Sequence, residues 1–134
     1  MNLTLAEIAE KLKRLKSAVI FCHMRPDGDA VGAAMGLKRL LGRCGVACSV
    51  ACESVIPEKF RFLPDTDAFS APVDMDAEAF IAVDSSDENR LGKYGDLFAK
   101  AKKVKFNIDH HISNTRFADY NHVDDVSASC EIVT

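Results

Sequence analysis

The stretch SAVIFCHMRPDGDAVGAAMGLKRLLGRCGVACSVACE, residues 17–53, decides the fold. It opens with a short apolar run, SAVIFC (17–22), which reads as a buried strand. The run breaks at HMRPDGD, where proline and glycine set a turn. It resumes as AVGAAMGLKRLLGRCG (30–45), a helix whose small residues Gly32, Ala33 and Gly36 permit close packing on a sheet. VACSVACE (46–53) then reads as a second strand. The turn between the first strand and the helix gathers His23, Asp27 and Asp29 into seven positions. Two carboxylates one residue apart repel each other, so a positive partner is expected there.

The same alternation continues on both sides. Upstream, Thr4-Leu-Ala-Glu7 is a capping box, followed by Leu5, Ile8, Leu12 and Leu15 at helical spacing. Downstream, PEKFRFLP (57–64) reads as a short helical turn, and AFIAVD (79–84) as a third strand. KYGDLFAKA (93–101) reads as a helix, and VKFNID (104–109) as a fourth strand. Strands alternating with helices predict an α/β fold, doubly wound, with a mainly parallel sheet and helices on both faces. Such sheets bind ligands outside the carboxyl ends of their strands, where strand order reverses. His23 follows the first strand, Asp84 closes the third, and Asp109-His110-His111 closes the fourth. One pocket can collect them all.

Bulk properties narrow the function classes. The 134 residues suit one domain, with 48% apolar residues for a core and 28% charged residues for a surface. A net charge of −3 gives no broad basic footprint for long duplex nucleic acid. No apolar run approaches the ~18 residues of a membrane span. The amphipathic N-terminus lacks a signal peptide's apolar block, which predicts a cytoplasmic location. The five cysteines are odd in number and form no CxxC pair, so neither a disulfide scaffold nor a zinc knuckle is expected. Cys44, Cys48 and Cys52 read as buried reduced thiols.

Each polar group has an ordinary reading when taken alone. An aspartate at a strand end commonly caps a helix, Asp27-Gly28-Asp29 can be a plain turn, and His110-His111 can be a surface pair. Taken together, His23, Asp27, Asp29, Asp84 and His110 supply three carboxylates and two imidazoles with no thiol. That oxygen-rich set suits Mn²⁺ or Mg²⁺, with Co²⁺ or Fe²⁺ also compatible. Three carboxylates sharing a pocket raise each other's pKa values unless cations neutralise them.

HMRPDGDAVGA (23–33), VDSSDENRLG (83–92) and DHHISNTRF (109–117), in that order, resemble the DHH phosphoesterase superfamily, named for its Asp-His-His signature. The first two variants are most similar to its nanoRNase branch of oligoribonucleases and phosphoadenosine-phosphate phosphatases. The resemblance covers about residues 17–134. It implies a site for two divalent cations, Mn²⁺ foremost, in which His23 and Asp27 hold one ion and Asp29 and His110 the other. By the same resemblance Asp84 bridges the two, Asp109 orients the ligands from behind, and His111 faces the substrate phosphate. Arg25 and Arg90 are candidate phosphate clamps. Asn114 is a third candidate for the substrate site, although its position five residues after Asp109 suits bracing the loop better. Ser85 and Ser86 read as turn or cap residues.

The activity so implied is hydrolysis of short RNA, dinucleotides or small 3′-phosphorylated nucleotides. A manganese-dependent pyrophosphatase of the same superfamily is the second reading, and a non-catalytic nucleotide- or metal-binding module the third. The superfamily's further bridging aspartate and its second, substrate-binding domain have no counterpart here. Ser127-Ala-Ser-Cys-Glu-Ile-Val-Thr134 reads as the first turns of a helix. Asp124 and Asp125 do not match the missing ligand. The sequence therefore reads as the N-terminal part of a catalytic domain, inactive by itself. A cut terminal helix predicts either partial disorder over 109–134 or a homo-oligomer that covers bare apolar surface.

Overall fold

In the computed structural model, which describes residues 1–134, β1 (Ser17–Phe21) pairs with β2 (Ala47–Ala51) on one side and β3 (Ala79–Val83) on the other. β4 (Val104–Asp109) and β5 (Tyr120–Val123) complete the order β2-β1-β3-β4-β5, with every pair parallel. The chain therefore moves from β1 to one edge, then returns past β1 to build the other side. The crevice between the ends of β1 and β3 is the topological switch point, where open α/β sheets bind ligands.

Helices cover both faces of the sheet. α1 (Leu5–Lys13), α2 (Gly28–Arg43) and α4 (Ser129–Val133) share one core with Ala18, Ile20, Ile81, Phe106 and Ile108. α3 (Tyr94–Lys100) packs on the opposite face, where Phe98 meets Phe21 edge-on at 5.8 Å and Phe21 meets Phe80 at 5.0 Å. β3, AFIAV, is buried at every position, as a central parallel strand with both faces covered must be. The α/β, doubly wound architecture expected from the sequence is the one observed.

Local chemistry sets the boundaries. Thr4 and Glu7 close the capping box at α1 through reciprocal bonds of 3.1 and 3.2 Å. α2 starts at Gly28, two residues before the expected start, because Asp27 is its N-cap and accepts from the Ala30 amide at 2.9 Å. It ends at Arg43, ahead of Gly45, which adopts φ 85°.

Three expectations are corrected. Only Glu58–Phe60 of the turn at 57–64 is helical, as one 3-10 turn. Cys44 is exposed at the end of α2, and Cys48 is only half-buried. Gly32 and Gly36 face α4 rather than the sheet. A Cβ at Gly32 would stand 2.8 Å from Cys130 Sγ, and one at Gly36 3.3 Å from a Val133 methyl. Glycines one helical turn apart line a single stripe, and α4 lies along it.

β5 carries no sequence expectation. It is held by the N-terminal residues as well as by β4: Leu3 donates to the Asn121 carbonyl and Asn121 to the Met1 carbonyl, both at 2.8 Å. Residues 120–123 and 129–133 thus form β5 and α4. Leu5, Leu37, Leu40 and Ile132 line an apolar groove between α1, α2 and α4. No helix is long and apolar enough to cross a membrane.

Candidate metal centre

Asp84 sits where β3 ends, in the left-handed conformation at φ 54°, with its amide bonded to the Ile108 carbonyl at 3.0 Å. Aspartate tolerates this region better than most residues, and the turn directs the side chain away from the strand axis. The carboxylate is 2% exposed, and its two oxygens are divided between two groups. Oδ2 lies 3.5 Å from His23 Nε2, which in turn is 3.7 Å from Asp27 Oδ1. Oδ1 lies 3.2 Å from His110 Nε2, which is 3.4 Å from Asp29 Oδ2.

Both imidazoles are held in one tautomer. His23 Nδ1 donates to the Met24 carbonyl at 2.7 Å and His110 Nδ1 to the Val126 carbonyl at 3.2 Å. Each ring therefore aims Nε2 at the carboxylates, the orientation that carbonyl partners enforce on metal-binding histidines. Three of the four Nε2–oxygen separations, at 3.4, 3.5 and 3.7 Å, are longer than good hydrogen bonds, and the fourth, at 3.2 Å, is at their upper limit. Two donors each about 2.1 Å from one cation stand about 3.0–3.4 Å apart, close to the spacing here.

The charges point the same way. Every ion-pair contact to Asp27, Asp29 and Asp84 comes from a histidine, and none from lysine or arginine. Burial pushes the Asp84 carboxyl above its ordinary value, and the charges of Asp29 and Asp27 push it further, against the opposing bond from His23. The Asp84 carboxylate holds the His23 imidazole above its usual value despite burial. Burial works on Asp29 too, but the backbone amides of Cys130 and Ser129 outweigh it and keep that carboxyl low. The chemistry of this donor set fits a divalent cation. His23, Asp27 and Asp84 present ligand atoms within 4.8 Å of one another, as do Asp84, Asp109, His110 and His111, so Asp84 belongs to both groups.

The model of the DHH family's N-terminal domain matches residues 17–134. The chain belongs to the DHH family. It is 32% identical over 125 residues to the bifunctional oligoribonuclease and PAP phosphatase NrnA of Thermus thermophilus, covering 91% of this chain and 36% of that protein. It is 29% identical over 134 residues to the NrnA of Mycoplasma genitalium, covering 95% of this chain and 41% of that one. The chain thus spans less than half the length of these curated relatives. The fold superposes on an exopolyphosphatase-related protein from Bacteroides fragilis with a TM-score of 0.84 at 22% identity, over 96% of this chain and 41% of that one.

Within the DHH signature itself, the three residues take different positions. Asp109 is fully buried, accepts from His111 Nδ1 at 2.6 Å on Oδ1 and from Asn114 Nδ2 at 2.8 Å on Oδ2. His111 is left with Nε2 available on a side chain that is 43% exposed. Asn114, grouped in the sequence with the substrate site, is 5% exposed and committed elsewhere. Its amide donates to Ser85 O and Asp109, and its carbonyl accepts from the Arg116 amide at 2.6 Å. It braces the DHH loop.

Arg25 and Arg90 are exposed, and neither guanidinium has a protein partner. Arg25 is held at φ 51° by its amide bond to Ser54 Oγ, and the Arg90 carbonyl accepts from the Met24 amide at 2.7 Å. Ser129 is the residue the sequence did not reveal. It is fully buried, its amide donates to Asp29 Oδ2 at 2.9 Å, and its hydroxyl donates to Asp84 Oδ1 at 3.1 Å. The only sequence signal is a serine at the start of a helix.

Proposed function

We propose that this chain is the metal-binding N-terminal part of a phosphoesterase that hydrolyses short oligoribonucleotides, dinucleotides and small 3′-phosphorylated nucleotides. The observation that carries the reading is the division of the Asp84 oxygens between His23 with Asp27 and His110 with Asp29. His23 and Asp27 would hold one divalent cation, His110 and Asp29 a second, with Asp84 common to both and Mn²⁺ the favoured metal. Such cations, when bound, acidify water and stabilise the charge that develops on phosphoryl oxygens. The names of the relatives in Thermus thermophilus and Mycoplasma genitalium support the substrate class.

The chain's own residues supply order and charge. The Met24 and Val126 carbonyls bond Nδ1 of His23 and His110 and so aim Nε2 of each ring at the carboxylates. Asp109 holds the His111 ring by Nδ1, which leaves Nε2 to bond a phosphoryl oxygen or pass a proton to the leaving group. Arg25 and Arg90 carry unpaired guanidinium groups that can grip a phosphate in two-pronged fashion. The formal charge of −3 turns positive once two divalent cations bind, so attraction for a small anionic substrate arises at the site itself.

A panel of dinucleotides, adenosine 3′,5′-bisphosphate and inorganic pyrophosphate, assayed with Mn²⁺ on the full-length protein, tests this. Turnover of dinucleotides or the bisphosphate is expected. Pyrophosphate hydrolysis alone supports the pyrophosphatase reading, and binding without turnover supports a non-catalytic module.

A further inference from the structure

We propose that the cavity beyond the end of β2 is the base-binding subsite for the nucleotide substrate, with Phe62 as its stacking platform. This rests on the nucleotide phosphoesterase reading above and adds where the base lies and what holds it. The cavity measures about 610 Å³, within the ~300–1,000 Å³ of small-molecule sites. Cys52 and Ser54 form one wall, and residues 61–70 supply the other.

That first wall is bonded directly to the turn that carries the candidate metal ligands. Cys52 Sγ donates to the His23 carbonyl at 3.4 Å, and Ser54 Oγ accepts from the Arg25 amide at 2.8 Å. Phe60, which precedes the second wall in sequence without lining the cavity, lies so close to Gly28, between Asp27 and Asp29, that a Cβ there would come within 3.3 Å of its ring. The metal centre and the cavity wall are therefore joined through one turn. A nucleotide with its phosphate at the centre would place its base in the cavity by reaching past that turn.

Charge decides which part of the nucleotide enters. Glu53, Asp65 and Asp67 line the cavity against the single cation of Arg61, although Glu53 accepts from the Lys93 amide at 2.8 Å and Asp65 is partly spent on Arg39 at 3.7 Å. An acidic cavity repels a second phosphate. Its carboxylates accept hydrogen bonds from the exocyclic amino groups of adenine, guanine or cytosine. Phe62 lines the same cavity while 79% exposed, and its ring pairs with no other aromatic group. An exposed ring of this kind is what bases stack on in single-stranded nucleic-acid sites.

The test is Phe62→Ala in the full-length Mn²⁺-loaded protein, assayed on a 5′-phosphorylated adenine dinucleotide and its two abasic analogues, with Phe62→Tyr as the ring-preserving control. Because Phe62 is exposed, the alanine variant keeps its fold, which its melting temperature checks. Loss of stacking predicts a fall in kcat/KM of about ten-fold or more on the dinucleotide, carried by KM. That loss should shrink to less than about two-fold on the analogue lacking the stacked base, and Phe62→Tyr should retain activity. Equal losses on all three substrates, or no loss on the dinucleotide, overturn the subsite while leaving the phosphoesterase reading intact. If the wild-type protein turns over no nucleotide, that reading fails and the subsite falls with it.

Discussion

The hydroxyl of Ser129 donates a 3.1 Å hydrogen bond to Asp84 Oδ1 across 45 residues of sequence, to the same oxygen that lies 3.2 Å from His110 Nε2. One residue of α4 thereby fixes a carboxylate at the end of β3, while its amide fixes Asp29 at the start of α2. Partners of this kind, behind a metal ligand, are worth about 10- to 100-fold in affinity or activity. Ser129→Ala should weaken Mn²⁺ binding by that amount in calorimetry on the full-length protein. The amide bond to Asp29 survives the change, so the stability loss should stay within about 1–3 kcal/mol, that of one unpaired buried partner, which thermal unfolding checks.

Asp84→Asn should remove nearly all hydrolysis, about 10³-fold or more, because an amide offers one oxygen where two are used and carries no charge. Asp87→Asn on the same loop should be mild. Asp87 caps a 3-10 turn by accepting from the Arg90 amide at 3.2 Å, and asparagine caps nearly as well. Steady-state assays of the two variants side by side make the comparison, and similar activities would refute the assignment of Asp84.

Gly32→Ala should act at a distance from the chemistry. The added Cβ meets Cys130 Sγ at 2.8 Å, and Cys130 lies in the first turn of α4, whose amides hold Asp29. Overpacking costs about 1–3 kcal/mol, and shifting α4 loosens Asp29 at the same time. Thermal unfolding should show the lower stability, and Mn²⁺ titration a lower affinity. Gly42→Ala, where a Cβ meets nothing within 4 Å, is the control and should be neutral or stabilising.

Asn114→Ala should lower stability by about 1–3 kcal/mol by leaving buried partners unpaired, and should lower kcat more than it raises KM. Its amide touches Asp109 and Ser85, so loss of the brace frees His111 to turn. A rise in KM with kcat and stability unchanged would instead make Asn114 a substrate contact.

The strands that carry the site were legible because they are buried on both faces and so read as unbroken apolar runs. AFIAV (79–83) shows no alternation of apolar and polar residues, and the aspartate that follows it marks the ligand end directly. His23, Asp84 and His110 could be placed together because parallel strands end on one side of the sheet. Asp27 shows that the ordinary and the functional readings coexist, since the oxygen that caps α2 is also the one 3.7 Å from His23 Nε2.

What escaped depended on contacts between distant segments. β5, YNHV, is short and polar, and it exists because β4 and the first three residues pair with it. Gly32 and Gly36 mark a face of close packing, but nothing in their spacing says that α4, and not the sheet, fills it. Ser129 has no motif at all, because its role lies in reaching Asp84.

The measurement that bears most directly on the account is a Mn²⁺ titration of the full-length protein and its Asp84→Asn variant by isothermal calorimetry. Asp84 is the carboxylate common to both donor groups, so its loss should damage both ion sites together. The account predicts two ions per chain in the wild type, and in the variant a lost site with the remaining ion bound at least about ten-fold more weakly. Equal stoichiometry and affinity in the two proteins, or no Mn²⁺ bound by the wild type, would contradict it.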